Sequence, residues 1–163
     1  MMCLLATAEL GQCYPFRVGQ SMKDVRLLRH GESAANAGAP TQDHATIPLT
    51  EHGAEQARQV ALSFAETPDL IIASPFLRAQ ATAAWTTAKF PTVQFQTWPI
   101  QEFTYLEPAR CVNTTVAQRQ EWVDDYWQRA DPNRVDGDGA ESFLEFASRA
   151  QAFLGRLAAL PAK

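Results

Sequence analysis

At 163 residues, with 46% hydrophobic and 20% charged side chains, the chain suits a single domain able to bury a core without disulfides or metals. A net charge of −4 excludes a general attraction to nucleic acid or to an anionic membrane surface, so any phosphate site has to be a local basic patch. No segment is long and apolar enough to span a bilayer.

Residues 1–21 carry no clear periodicity. Their apolar start lacks a basic flank and is interrupted by Glu9, so they are expected to be a leader or disordered tail, with the patterned domain over 22–163. Residues 25–28 form a near-continuous apolar run, the pattern of a strand covered on both faces. Gly38, Pro40 and Pro48 then predict a loop. Thr50 is placed to cap a helix over 51–66, with Ala54, Ala57, Ala61 and Phe64 on one face.

Residues 69–73 predict a second buried strand. Ser74 and Pro75 follow as N-cap and first helical residue of a helix through 89, with Arg78 in its first turn. The N-terminal amides and Arg78 would together form an anion site. Alternation of Val93, Phe95 and Thr97 with Gln94 and Gln96 predicts a third strand, near a sheet edge. A helix is expected over 115–129, with Trp122, Val123, Tyr126 and Trp127 as an aromatic stripe. A strongly amphipathic helix is expected over 142–160. Strands alternating with helices imply an α/β fold with a largely parallel sheet. Cys3, Cys13 and Cys111 make neither a Cys-x-x-Cys pair nor an even set, which points to a reducing, cytoplasmic setting without a disulfide framework or structural zinc.

The chemistry concentrates at Arg29-His30-Gly31, where an apolar run ends in a potential nucleophile beside a permanent cation. Guanidinium can grip two phosphate oxygens and offset their charge, which an attack by neutral imidazole on phosphorus requires. Arg78 in the first turn of a helix opposes the macrodipole and so calls for an anionic partner. Glu102 is the candidate acid, with Glu107 its rival; the plainer alternative for Glu102 is a solvated loop charge. His44 lies in a loop that could border a substrate mouth, and His52 follows a helix cap as a surface residue.

Arg29-His30-Gly31-Glu32-Ser33 with Asn36, then Ser74-Pro75 with Arg78 and Thr82, then Glu102, resemble in order and context the histidine phosphatase superfamily, the phosphoglycerate mutase-like group. The start of the first helix, Leu49-Thr50-Glu51-His52-Gly53, belongs to the same pattern. The resemblance implies a three-layer α/β sandwich and a phosphomonoester hydrolase acting through a phosphohistidine on a small phosphorylated metabolite. It implies His30 as nucleophile, Glu102 as the acid that protonates the leaving oxygen and later activates water, and Arg29, Arg78, Asn36 and Ser33 as phosphate or substrate contacts. No cofactor, metal, nucleic acid or membrane is implied. The stretch 102–105, Asp131-Pro132 and Ala140-Glu141-Ser142-Phe143 look more like the group's broad phosphatases than its glycolytic mutases.

One departure stands out. The family pattern has a second histidine at the end of a further strand, and this sequence has no histidine beyond His52. The chain is therefore expected to be an incomplete copy of the domain, its last strand missing. A phosphate-binding pseudoenzyme or fragment, and a mutase-type phosphotransferase, are the alternatives to a phosphatase.

Overall fold

The computed structural model describes residues 16–18 and 21–161. Strand β1 (Phe16–Val18) pairs antiparallel with β2 (Ser21–Lys23), Arg17 opposite Met22. Regular pairing thus crosses the expected boundary between leader and domain at 21/22, while residues 1–15 lie outside the described residues. The remaining elements, in order, are α1 (Glu51–Ser63), β3 (Leu70–Ala73), α2 (Leu77–Lys89), β4 (Gln94–Thr97), α3 (Gln120–Arg129) and α4 (Phe143–Ala158). Together they make an α/β fold with a parallel sheet flanked by helices.

The sheet seen among the described residues has two strands, β3 and β4, paired in parallel with Ile71 opposite Phe95. Their connection is α2, the helical crossover that a parallel pair needs. Ile71 and Ala73 of β3 bury against Ala79 and Ala83 of α2, with Val93 at the margin. Small residues also face the neighbouring helix: Ala57 and Ala61 of α1 are almost fully buried. Lys89, in the last turn of α2, donates from Nζ to the carbonyls of Leu62 (3.1 Å) and Phe64 (2.8 Å) and so closes the C-terminal end of α1.

Residues 25–28 are not a strand: they join no ladder, and Leu27 is 52% exposed. An apolar run becomes a buried strand only where neighbouring strands take up its backbone groups and layers cover both faces, and neither is in place here. The start of α2 also differs from expectation. Its first turn accepts at the Phe76 carbonyl, and the Leu77 N–H is taken by the carbonyl of Ala45 at 2.8 Å, so the helix begins after Ser74 and Pro75, not on them. The third helix is shorter than the sequence pattern. A 3-10 turn at Ala117–Arg119 precedes it, and Ala130 ends it in the left-handed region at φ 48°.

The cap at Thr50 falls where the sequence places it, whereas Ser142, expected as the first helical residue, instead caps α4 from just outside it. Thr50 accepts from the Gly53 N–H at the start of α1. Ser142 forms a capping box with Glu145 at the start of α4, an arrangement worth about 1 kcal/mol. A second core, Leu106, Cys111 and Tyr126 with Phe103, Tyr105, Trp122 and Val123 around it, joins α3 to the irregular segment after β4. Trp98 is the largest fully buried side chain among the described residues, with Phe153 of α4 edge-on at 5.8 Å.

Candidate active site

The loop carrying His30 is held by contacts that need glycine. A Cβ on Gly31 would stand 2.2 Å from the Gly53 carbonyl oxygen, and one on Gly53 would stand 2.0 Å from that of Glu32. The backbone after His30 therefore packs directly on the first turn of α1. Thr50 reinforces the junction, donating from its N–H to the Glu32 carbonyl (2.9 Å) and from its hydroxyl to the Glu32 carboxylate (2.7 Å). From the other side, Thr82 of α2 accepts from the Gly31 N–H at 3.1 Å. Its own hydroxyl donates to the Arg78 carbonyl one turn back, at 2.7 Å.

His30 is 8% exposed. Its Nδ1 lies 2.7 Å from the Gly31 carbonyl, which can only accept, so Nδ1 carries a proton. A neutral ring then presents the lone pair of Nε2. Burial, above all, pushes the imidazole down to about 4; the Gly31 bond opposes this, and the charges of Arg78 and Arg29 add to it. The ring is thus kept in the form that can attack an electrophile at neutral pH.

Around Nε2 two groups converge. Arg78, 4% exposed on α2, donates from Nε to Nε2 at 3.2 Å. Glu102 brings Oε1 to 2.8 Å from the same nitrogen. Two acceptors at that distance need one proton between them. Arg78 also donates to Glu102 Oε2 at 2.5 Å and to the His44 carbonyl at 2.7 Å, and its guanidinium lies over the Phe76 ring. Burial, then the charge of Arg29, lowers Arg78 to about 10, which leaves it a cation at neutral pH. The acidic side chain that Arg78 meets at the start of the helix is Glu102.

The other expected contacts are placed differently. Arg29 is exposed and acts on His30 and Arg78 through its charge; among the described residues no hydrogen bond from its guanidinium is formed. Asn36 is exposed, and its Oδ1 accepts from the N–H (3.1 Å) and hydroxyl (2.8 Å) of Ser33. Ser33 itself is buried and lines the pocket. Of the amides at the start of α2, the Leu77 N–H serves the Ala45 carbonyl and the Ala79 N–H the Phe76 carbonyl. Glu107 lies away from the cluster, packed over Gly137. His52 contacts Gln56 on α1, whereas His44 does border the pocket, where burial lowers its pKa.

The pocket that opens onto Arg78 and Glu102 has a volume of about 220 Å3. Phe76, Phe103, Tyr105, Leu106 and Val123 supply an apolar and aromatic wall. Sequence reasoning did not anticipate this wall, since its members come from separate segments; the aromatic stripe of α3 was the one available signal. No group of three or more His, Cys, Asp or Glu that could hold a metal occurs among the described residues.

A parallel α/β unit here sets a buried histidine against an arginine and a glutamate. The sequence pattern of the histidine phosphatase superfamily (branch 1) matches residues 25–163, and the chain belongs to that family. It is 30% identical over 142 residues to the adenosylcobalamin/alpha-ribazole phosphatase of Escherichia coli (strain K12), covering 80% of this chain and 64% of the relative. The corresponding Salmonella typhi protein is 29% identical over 139 residues, covering 82% and 66%. Among solved structures, the alpha-ribazole phosphatase from Shigella flexneri superposes with a TM-score of 0.60 at 26% identity, over 78% of this chain and 63% of that one. A mycobacterial glucosyl-3-phosphoglycerate phosphatase in complex with VO3 gives 0.61 at 26%, over 80% and 64%. The chain thus spans about two thirds of the length of the curated relatives it matches.

Proposed function

We propose that the chain carries a phosphomonoester hydrolase site working through a phosphohistidine on His30. The observation that carries this reading is the convergence of Arg78 Nε and Glu102 Oε1 on His30 Nε2, with Nδ1 tied to the Gly31 carbonyl. In the proposed reaction a bound phosphate group takes over the Arg78 donors that Glu102 now occupies. The lone pair of Nε2 forms the N–P bond as the ester O–P bond breaks, and Glu102 delivers its proton to the leaving oxygen. Glu102 then takes a proton from water, whose oxygen displaces His30 from phosphorus. Arg78, with the field of Arg29, stabilises the charge on the equatorial oxygens.

The substrate is a small phosphorylated metabolite whose leaving group bears an apolar or aromatic part, because the wall facing Glu102 is built from Phe76, Phe103, Tyr105 and Leu106. The phosphatase names of the relatives support the phosphomonoester part of this reading. The reaction uses no metal, and the free, buried Cys111 suits a reducing cytoplasm. Labelling with a 32P-ester tests the mechanism: an acid-labile, alkali-stable adduct should form on the wild-type chain and be absent from His30→Ala. Undiminished labelling of His30→Ala would refute it.

A second reading is phosphate binding without turnover. It is favoured by the make-up of the cluster, in which His30 is the one histidine bonded to both the Arg78 and Glu102 side chains among the described residues. Binding of inorganic phosphate with no hydrolysis of any ester would select it.

A further inference from the structure

Glu102 sits in a stretch, 98–107, that belongs to no helix or strand, so no backbone ladder fixes it against His30. Helix α4 supplies what the ladder does not. Arg149 donates from one terminal nitrogen to the carbonyls of Pro99 and Gln101, both at 3.0 Å. Its remaining donors go to Glu141, from Nε to Oε2 at 3.2 Å and from the other terminal nitrogen to Oε1. Glu141 in turn accepts from the Thr104 N–H at 3.2 Å and donates its own N–H to the Thr104 carbonyl at 2.9 Å. Phe103 is stacked on Phe146 of α4, ring centroids 5.0 Å apart.

The residue before Glu102 and the two after it are therefore gripped together, while Glu102 is left to face the pocket. Both charges are largely shielded, with side chains 18% and 20% exposed, so the ion pair is screened less than a surface pair. Neither Arg149 nor Glu141 lines the pocket. We propose that the Arg149–Glu141 pair is a positioning device that sets the Glu102 carboxylate against His30 and Arg78. The acid role of Glu102 rests on the function proposed above; the placement of its carboxylate does not.

Two measurements on the full chain separate these. The first compares kcat/KM for an alkyl phosphate and for p-nitrophenyl phosphate. Arg149→Ala should lower the alkyl rate by about 10- to 100-fold, as a misplaced acid would, and leave the aryl rate within a few-fold. On an E102Q background it should add no further loss, and Arg149→Lys should restore part of the alkyl rate. Equal losses on both esters, or losses that multiply with E102Q, would overturn the proposal and leave Arg149 a merely structural residue.

The second readout is the NMR titration of the His30 ring, which requires no turnover. E102Q and Arg149→Ala should move it in the same direction. A shift in E102Q with none in Arg149→Ala would also overturn the proposal. If the wild-type chain hydrolyses nothing while both variants move the His30 titration, the positioning stands and the phosphatase reading falls. Should Arg149→Ala not fold by thermal melt, Glu141→Gln, which keeps a hydrogen-bond acceptor for Thr104, is read in its place against the same outcomes.

Discussion

His30 Nε2 and Glu102 Oε1 stand 2.8 Å apart across 72 residues of sequence. Because Nδ1 is committed to the Gly31 carbonyl, the proton at this contact is shared between a ring held neutral by burial and a carboxyl group beside it. A carboxyl so placed is within reach of an oxygen leaving phosphorus. If it serves as the acid, Glu102→Gln should slow esters with poor alkoxide leaving groups by about 10² to 10⁴ and an activated aryl ester far less. Parallel kcat measurements on both substrates check this; equal losses would assign Glu102 a positioning role instead.

Arg78 is the second member of the cluster, with all three guanidinium nitrogens in use. Replacement by Lys keeps the charge and discards the fork, so Arg78→Lys should weaken inorganic phosphate binding by roughly 10-fold or more, since each 1.4 kcal/mol is tenfold. Arg78→Ala also leaves the part-buried His44 carbonyl and Glu102 without this donor, and should cost stability as well. Calorimetric titration with phosphate, alongside a thermal melt, separates the two effects. Phosphate affinity unchanged in Arg78→Lys would remove the fork from the argument.

The depressed pKa of His30 has a sign that can be measured. An unfolded histidine takes up a proton near pH 6.5, the folded ring only near 4, so between these values the unfolded state binds more protons. The stabilising contribution is complete above pH 6.5 and is lost as pH falls through the folded value, up to roughly 3 kcal/mol in all. His44, lowered by burial, acts in the same direction. Urea midpoints from pH 7.5 to 4 should fall less steeply for His30→Asn than for the wild type, and identical slopes would contradict a buried neutral ring.

Gly53 lies outside the pocket yet sets the path of the chain after His30. A methyl group there meets the Glu32 carbonyl at 2.0 Å, and backbone on both sides has little room to give. Gly53→Ala should destabilise the chain by about 1–3 kcal/mol and displace His30. A melting temperature lowered by several degrees, with a shifted His30 resonance, is the expected result.

Since the proposed nucleophile is carried by the chain itself, chelation should leave turnover unchanged. EDTA that abolished hydrolysis, with Mg²⁺ or Zn²⁺ restoring it, would place the chemistry in another class.

The cap at Thr50, the β3-α2-β4 unit and the ordered motifs His30, Arg78 and Glu102 were legible in the sequence because each depends on local signals. Those signals are a hydroxyl before a helix, a periodic apolar face, and a short string of chemically distinctive residues. Tertiary structure decided the rest. Whether 25–28 is a strand depends on partners that its own residues do not encode, and Leu27 stays half exposed because that cover is missing among the described residues. Ser74 looks like a cap, but the Ala45 carbonyl, brought in by a distant loop, claims the Leu77 N–H and moves the helix start.

Asn36 matched a substrate contact by position, while its amide oxygen is spent on Ser33 three residues away. Glu102 is preferred over its rival Glu107 mainly through the family resemblance, not through the spacing of the sequence. Arg149 and Glu141 hold the backbone on either side of Glu102, whereas the Glu107 N–H is bonded to Asp136. A carboxylate's chemistry is set by what lies within about 3 Å of it, and those neighbours come from segments that only the folded chain brings together.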